Sequence, residues 1–144
     1  MTDDHTPAEL RRILTQAGTI AVVGLSPRPD RPSHGVAAFL LARGHRIVPV
    51  NPGHAGQTIL GQPVYARLAD IPPEITVDMV DVFRASGAVP GIVDEALAAL
   101  PGLRAIWLQL GVEHAGAMAK ARAAGIETVW NRCPKIEYAR VIDL

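Results

Sequence analysis

The sequence predicts a three-layer α/β domain built on a mostly parallel sheet of about five or six strands. Three observations carry this. Short apolar runs alternate with longer amphipathic stretches, Gly or Pro stands at nearly every junction, and the apolar runs do not alternate with polar residues. Strands read that way when helices cover both faces of a sheet, and right-handed helical crossovers then join parallel neighbours.

Residues 6–16 read as a leading helix, with Thr6 as N-cap, Pro7 at the first helical position and Leu10, Ile13 and Leu14 on one face; Gly18 ends it. Residues 19–24 are the first strand. Residues 33–43 form a helix with Ser33 as N-cap, a stripe of Val36, Ala37, Phe39, Leu40 and Leu41, and Gly44 as its stop. Residues 45–50 are the second strand. The loop over 51–61 is rich in Gly, Asn and Pro, and 62–65 can supply a short third strand. Leu68 and Ile71 pack back on the core before Pro72 and Pro73 break the chain. Residues 76–83 form a strand with Val77, Met79 and Val80 inward; Asp78 and Asp81 interrupt it, which places one of them near a polar end. Pro90 starts a helix in which Ile92, Val93, Ala96, Leu97 and Leu100 recur at helical spacing. A strand over 103–110, a helix over 113–124 stopped by Gly125, a last strand over 126–130 and a short helix from Pro134 complete the pattern. Trp107 and Trp130 fall at strand positions and read as core.

The 144 residues suit one domain over 1–144, with 1–5 as a flexible tail. Apolar residues make up 49% and charged residues 19%, the balance of an ordered, soluble chain. A formal net charge of 0 disfavours nucleic acid as a partner. With one cysteine no intrachain disulfide forms, and a cytoplasmic setting is the expectation. The first residues are acidic and have no apolar core, unlike a signal peptide, and the apolar runs are too short to cross a membrane. The five histidines are scattered; His5 reads as a disordered surface residue, His45 and His54 as polar loop or edge residues, and no Cys/His cluster suggests a metal.

Parallel sheets bind ligands at the carboxyl ends of their strands. Here those ends are 24–26, 51–53, 82–84, 110–111 and 131–133, which are expected to share one edge. An anionic group would lie over Gly24, Leu25 and Ser26 and the N-terminus of the following helix, beside Ser33. Arg28, Arg31 and His34 stand where a phosphorylated ligand would meet that loop, although an isolated arginine pair also suits a solvated one. Pro27, Pro29 and Pro32 restrict the loop. The dinucleotide fingerprint G-x-G-x-x-G is absent, and the second strand ends at Asn51 rather than an acidic residue, so a nicotinamide cofactor is disfavoured. No Walker lysine follows a glycine-rich loop, which disfavours ATP hydrolysis. Phe83, at a strand end, is a better adenine contact than either tryptophan. Cys133 precedes Pro134 at a helix start, where a thiolate could be stabilised, but no base stands beside it in sequence.

The stretches VVGLSPRPDRPSHGVAAFL, VPVNP at 48–52, VDVFR at 80–84, WLQLGV at 107–112 and NRCPKIEYAR at 131–140 together resemble the stand-alone CoA-binding proteins. Their domain is similar to the N-terminal CoA-binding domain of the succinyl-CoA synthetase alpha subunit, and the resemblance covers about residues 10–140. It implies a Rossmann-like fold with CoA, free or acylated, across the carboxyl edge and its pyrophosphate near the first loop. By the same resemblance Asn51, Pro52, Phe83 and Arg84 wall the nucleotide part, while Gly111 and Cys133 lie on the same edge. The synthetase's second domain, which carries a phosphorylated histidine, is missing, so no turnover is expected. The alternative is an enzyme acting on a CoA thioester or related nucleotide-bearing ligand through Cys133.

Overall fold

The computed structural model describes residues 5–143, so most of the expected tail lies outside the described residues. In chain order the chain runs through α1 (Pro7–Gln16), β1 (Thr19–Val23), α2 (Pro32–Ala42) and β2 (Arg46–Val50). A hairpin of β3 (Thr58–Ile59) and β4 (Gln62–Pro63) follows, then β5 (Met79–Val82), α3 (Val89–Ala99), β6 (Ala105–Leu108), α4 (Ala115–Ala123), β7 (Glu127–Val129) and α5 (Pro134–Val141). His5 is not a disordered surface residue: its ring nitrogens lie 2.9 Å from Glu9 Oε2 and 2.5 Å from the Thr128 carbonyl, tying the start of α1 to β7.

The main sheet has five parallel strands in the order β2-β1-β5-β6-β7. Side chains alternate along each strand, and the two faces are buried in separate clusters. Ala21, Val23, Val80, Val82, Ile106 and Leu108 pack against α3 and α4. Ile20, Val22, Ile47, Met79 and Trp107 pack against α1, α2 and α5. This double cover explains the continuous apolar runs. Because α2 and α3 lie on opposite faces, the chain changes direction between β1 and β5, where two adjacent carboxyl ends open a crevice.

The paired strands are shorter than the apolar runs, and residues beyond their ends such as Val77, Leu103 and Trp130 are buried in the core outside the strand pairing. Residues 62–65 do not extend the main sheet: Gln62 and Pro63 pair antiparallel with β3, and only Tyr65 bridges Val50. Asp78 is the aspartate at a polar end, accepting from the Gly18 and Thr19 amides at 3.0 and 3.1 Å, whereas Asp81 is fully buried. His45 is not a polar edge residue either. It is 6% exposed, with its ring nitrogens 2.6 Å from the Ala17 carbonyl and 2.5 Å from the Tyr138 hydroxyl, so it joins the start of β2 to α1 and α5.

Candidate functional site

At the switch point Gly24 leaves β1 with φ +86°, a conformation that L side chains rarely adopt. A Cβ there would stand 2.3 Å from the Phe83 carbonyl oxygen. The Gly24 amide donates to the Val50 carbonyl and the Phe83 amide to the Val23 carbonyl, each at 2.8 Å. The ends of β1, β2 and β5 are therefore locked together at the crevice.

Polar side chains hold the loop after Gly24. Asn51 donates from Nδ2 to the Leu25 carbonyl at 3.0 Å and accepts the Gly53 amide on Oδ1 at 2.9 Å. Ser33 is not the N-cap of α2; Arg31 occupies that position, and its side chain makes no capping bond. Ser33 is the second residue of the helix, 5% exposed, with its hydroxyl accepting the Ser26 amide at 3.0 Å. The Ser26 hydroxyl in turn accepts the Arg28 amide at 3.1 Å. The Arg31 amide donates to the Arg28 carbonyl, and those of His34 and Gly35 to the Arg31 carbonyl. Several amides expected to face an anion are thus engaged within the protein, which leaves the arginine side chains as the readier phosphate partners. The restriction of the loop by Pro27, Pro29 and Pro32 is legible in the sequence, whereas the hold of Asn51 on the Leu25 carbonyl needs the turn after β2 to meet the loop after β1.

Leu25 is fully buried, so its side chain belongs to the core. Arg28, Arg31, Pro52, Arg84 and Gly111 are exposed, and His34, Asn51 and Phe83 are half-buried. Arg28 pairs loosely with Asp30 at 3.6 Å, with both side chains more than 60% exposed. A cavity of about 270 Å³ opens beside the crevice; Val23, Val50, Pro52 and Ile92 give it an apolar lining, and Arg67, Arg84 and Glu95 its charged groups. Arg67 and Glu95 carry no signal in the sequence. They arrive through a turn after the hairpin and through α3, where Glu95 accepts the Leu68 amide at 2.7 Å and Arg67 bonds Asp70 at 3.1 Å. Gly111 turns at φ +79°, its amide donating to Asn131 Oδ1 at 2.8 Å. Cys133 is the N-cap residue of α5 and 6% exposed, packed in the layer of α1, α2 and α5. Both tryptophans are core, and Trp107 Nε1 donates to the Arg132 carbonyl at 2.8 Å.

The five parallel strands, the reversal between β1 and β5 and the preorganised loop at that crevice define a Rossmann-like α/β domain. The CoA binding domain family matches residues 18–139, and the chain belongs to that family. The uncharacterized protein YneT of Bacillus subtilis is 36% identical over 132 residues, 92% of this chain and 93% of YneT. A Thermus thermophilus structure described as cell-free ID.343 shares 38% identity with a TM-score of 0.87, over 96% of this chain and 100% of that one. The fold also recurs in the dinucleotide-forming acetyl-coenzyme A synthetase 1 of Ca. Korarchaeum cryptofilum, at 22% identity and a TM-score of 0.66. That match covers 83% of this chain and 27% of the synthetase.

Proposed function

We propose that this protein binds coenzyme A or an acyl-CoA across the carboxyl edge of its sheet and performs no turnover of its own. Membership of the CoA binding domain family supports the ligand class, and the loop held by Ser33 and Asn51 around Gly24 is the observation that carries the location. A loop already ordered loses little conformational entropy on binding. The pyrophosphate lies beside this loop within reach of Arg28 and Arg31. The nucleotide end uses the cavity of Pro52, Arg67 and Arg84, whose apolar lining suits a base and whose arginines suit phosphate. The thiol arm runs toward Gly111. The burial of Cys133 supports the non-enzymatic reading, because a nucleophile must reach its substrate. The cytoplasm, where CoA and a reduced thiol coexist, is the compartment that fits.

Calorimetry with CoA and with pantetheine tests this. CoA should bind at least about 100-fold more tightly, because most specific contacts go to phosphate. Replacing Arg28 and Arg31 together by Ala should weaken CoA binding about tenfold and flatten its salt dependence, with pantetheine unaffected. Equal affinities for the two ligands would move recognition away from the phosphates and overturn the placement.

A further inference from the structure

Three buried side-chain atoms have no hydrogen-bond partner among the described residues: both carboxyl oxygens of Asp81 and Oε1 of Gln109. The two residues sit on neighbouring strands. Asp81 pairs with Trp107 across β5 and β6, and the Gln109 amide extends that ladder by donating to the Val82 carbonyl at 3.2 Å. By strand alternation Asp81 shares the face of Met79, and Gln109 shares the face of Trp107. Met79 and Trp107 belong to one layer, beneath α1, α2 and α5. Asp81 and Gln109 are therefore diagonal neighbours on one sheet face, a separation that a long side chain spans.

Among the described residues no cation bonds the Asp81 carboxyl. Val22 and Trp107 flank it in the sheet, and α1 turns only Leu10, Ile13 and Leu14 to this layer. From α2 come Ser33 and the half-buried His34, and from α5 come Cys133, Glu137 and Tyr138. Glu137 is bound by Arg132 and Arg140, and His45, at the amino edge, by the Ala17 carbonyl and Tyr138. An ionised Asp81 would be a buried charge without a counter-charge, a state that proteins avoid by neutralising the group. Protonation also converts one of its oxygens into a donor, while the orphaned atom of Gln109 is an acceptor.

We propose that Asp81 is held as the neutral acid and donates its proton to Gln109 Oε1, forming a latch across β5 and β6 that ionisation releases. Phe83 and Gly111 lie two residues beyond Asp81 and Gln109, so the latch steadies the edge on which the candidate site is built. The inference stands whether or not CoA is the ligand. Burial pushes the Asp81 carboxyl up to about 8, the dominant effect, with the Val82 backbone amide acting in the opposite direction. The folded state thus holds the proton more tightly than the unfolded chain. The stability this group contributes is full below about pH 4 and is lost as pH rises toward about 8.

The test compares the unliganded wild type with Asp81→Asn, which keeps the shape and an N–H donor but does not titrate. From about pH 5 to about pH 8, the wild-type folding constant should fall about tenfold or more relative to that variant. Infrared spectra of the wild type near pH 6.5 should carry a carboxylic-acid band that Asp81→Asn lacks and that fades through about pH 8. In Gln109→Leu, which removes the acceptor for the acid's O–H, the midpoint of that band should move to lower pH. An Asp81 already ionised near pH 6.5 in the wild type overturns the proposal, and this reading needs no variant to fold. A midpoint in Gln109→Leu that stays or rises overturns the pairing.

Discussion

Gly24 meets two demands at once, a positive φ and the approach of the Phe83 carbonyl, and each alone excludes a side chain. Gly24→Ala should destabilise the fold by about 2–4 kcal/mol, from backbone strain together with displacement of the end of β5. Gly35 is the control: it lies within α2, and a Cβ there would meet nothing within 4 Å. Gly35→Ala should be neutral or stabilising by up to about 1 kcal/mol through helix propensity. Chemical denaturation of both variants checks this, and a Gly24→Ala protein within about 0.5 kcal/mol of wild type would contradict it. The glycine itself is visible in the sequence as the end of an apolar run. Its second role is not, because Phe83 lies far along the chain and meets Gly24 only when β5 pairs with β1.

At the scale of elements, α5 shows how a local signal can point correctly and still mislead about accessibility. Pro134 in the first turn marks the helix start, and Cys133 becomes its N-cap residue as the local pattern implies. What the pattern does not contain is the packing of α5 against α1 and α2, with Arg11 Nε donating to the Val141 carbonyl at 2.9 Å and Arg43 bridging to Asp143 while lying over the Phe39 and Tyr138 rings. That packing buries the thiol. Cys133→Ala should therefore keep its fold and bind CoA within about twofold of wild type, a change of only about 0.4 kcal/mol. The native wild-type thiol should also resist a soluble thiol reagent until denaturant is added. CoA titration and intact-protein mass after labelling read both points; rapid labelling of the native protein, or a large loss of affinity in the folded variant, would bring Cys133 back to the ligand.

For the whole molecule, the strand order β2-β1-β5-β6-β7 brings the first loop, the turn after β2 and the end of β5 into one crevice. A ligand spanning these segments stabilises all of them together. CoA at about 100 times its dissociation constant should add about 2.7 kcal/mol, which for a domain of this size raises Tm by about 5–10 °C. NAD at the same concentration should shift Tm little, since Asn51 follows the end of β2 where an acidic residue would hold the ribose. Thermal unfolding with each ligand decides, and a larger shift with NAD than with CoA would reverse the ligand assignment.

The residues alone determined the alternation of helix and strand, the shared carboxyl edge and the loop around Gly24, Arg28 and Arg31. These follow from periodicity, turn chemistry and chain direction, which act over a few neighbouring residues. Only the tertiary structure decided that Ser33 and Asn51 clamp the loop, that Arg67 reaches the cavity, that His45 and Cys133 are buried, and that the Asp81 carboxyl and Gln109 Oε1 are buried with no hydrogen-bond partner among the described residues. Apart from the Ser33 bond to Ser26, seven residues away, those facts depend on segments distant in sequence. A residue's local pattern sets the side of its element on which it lies, whereas burial and hydrogen bonding depend on what the rest of the chain places against that side.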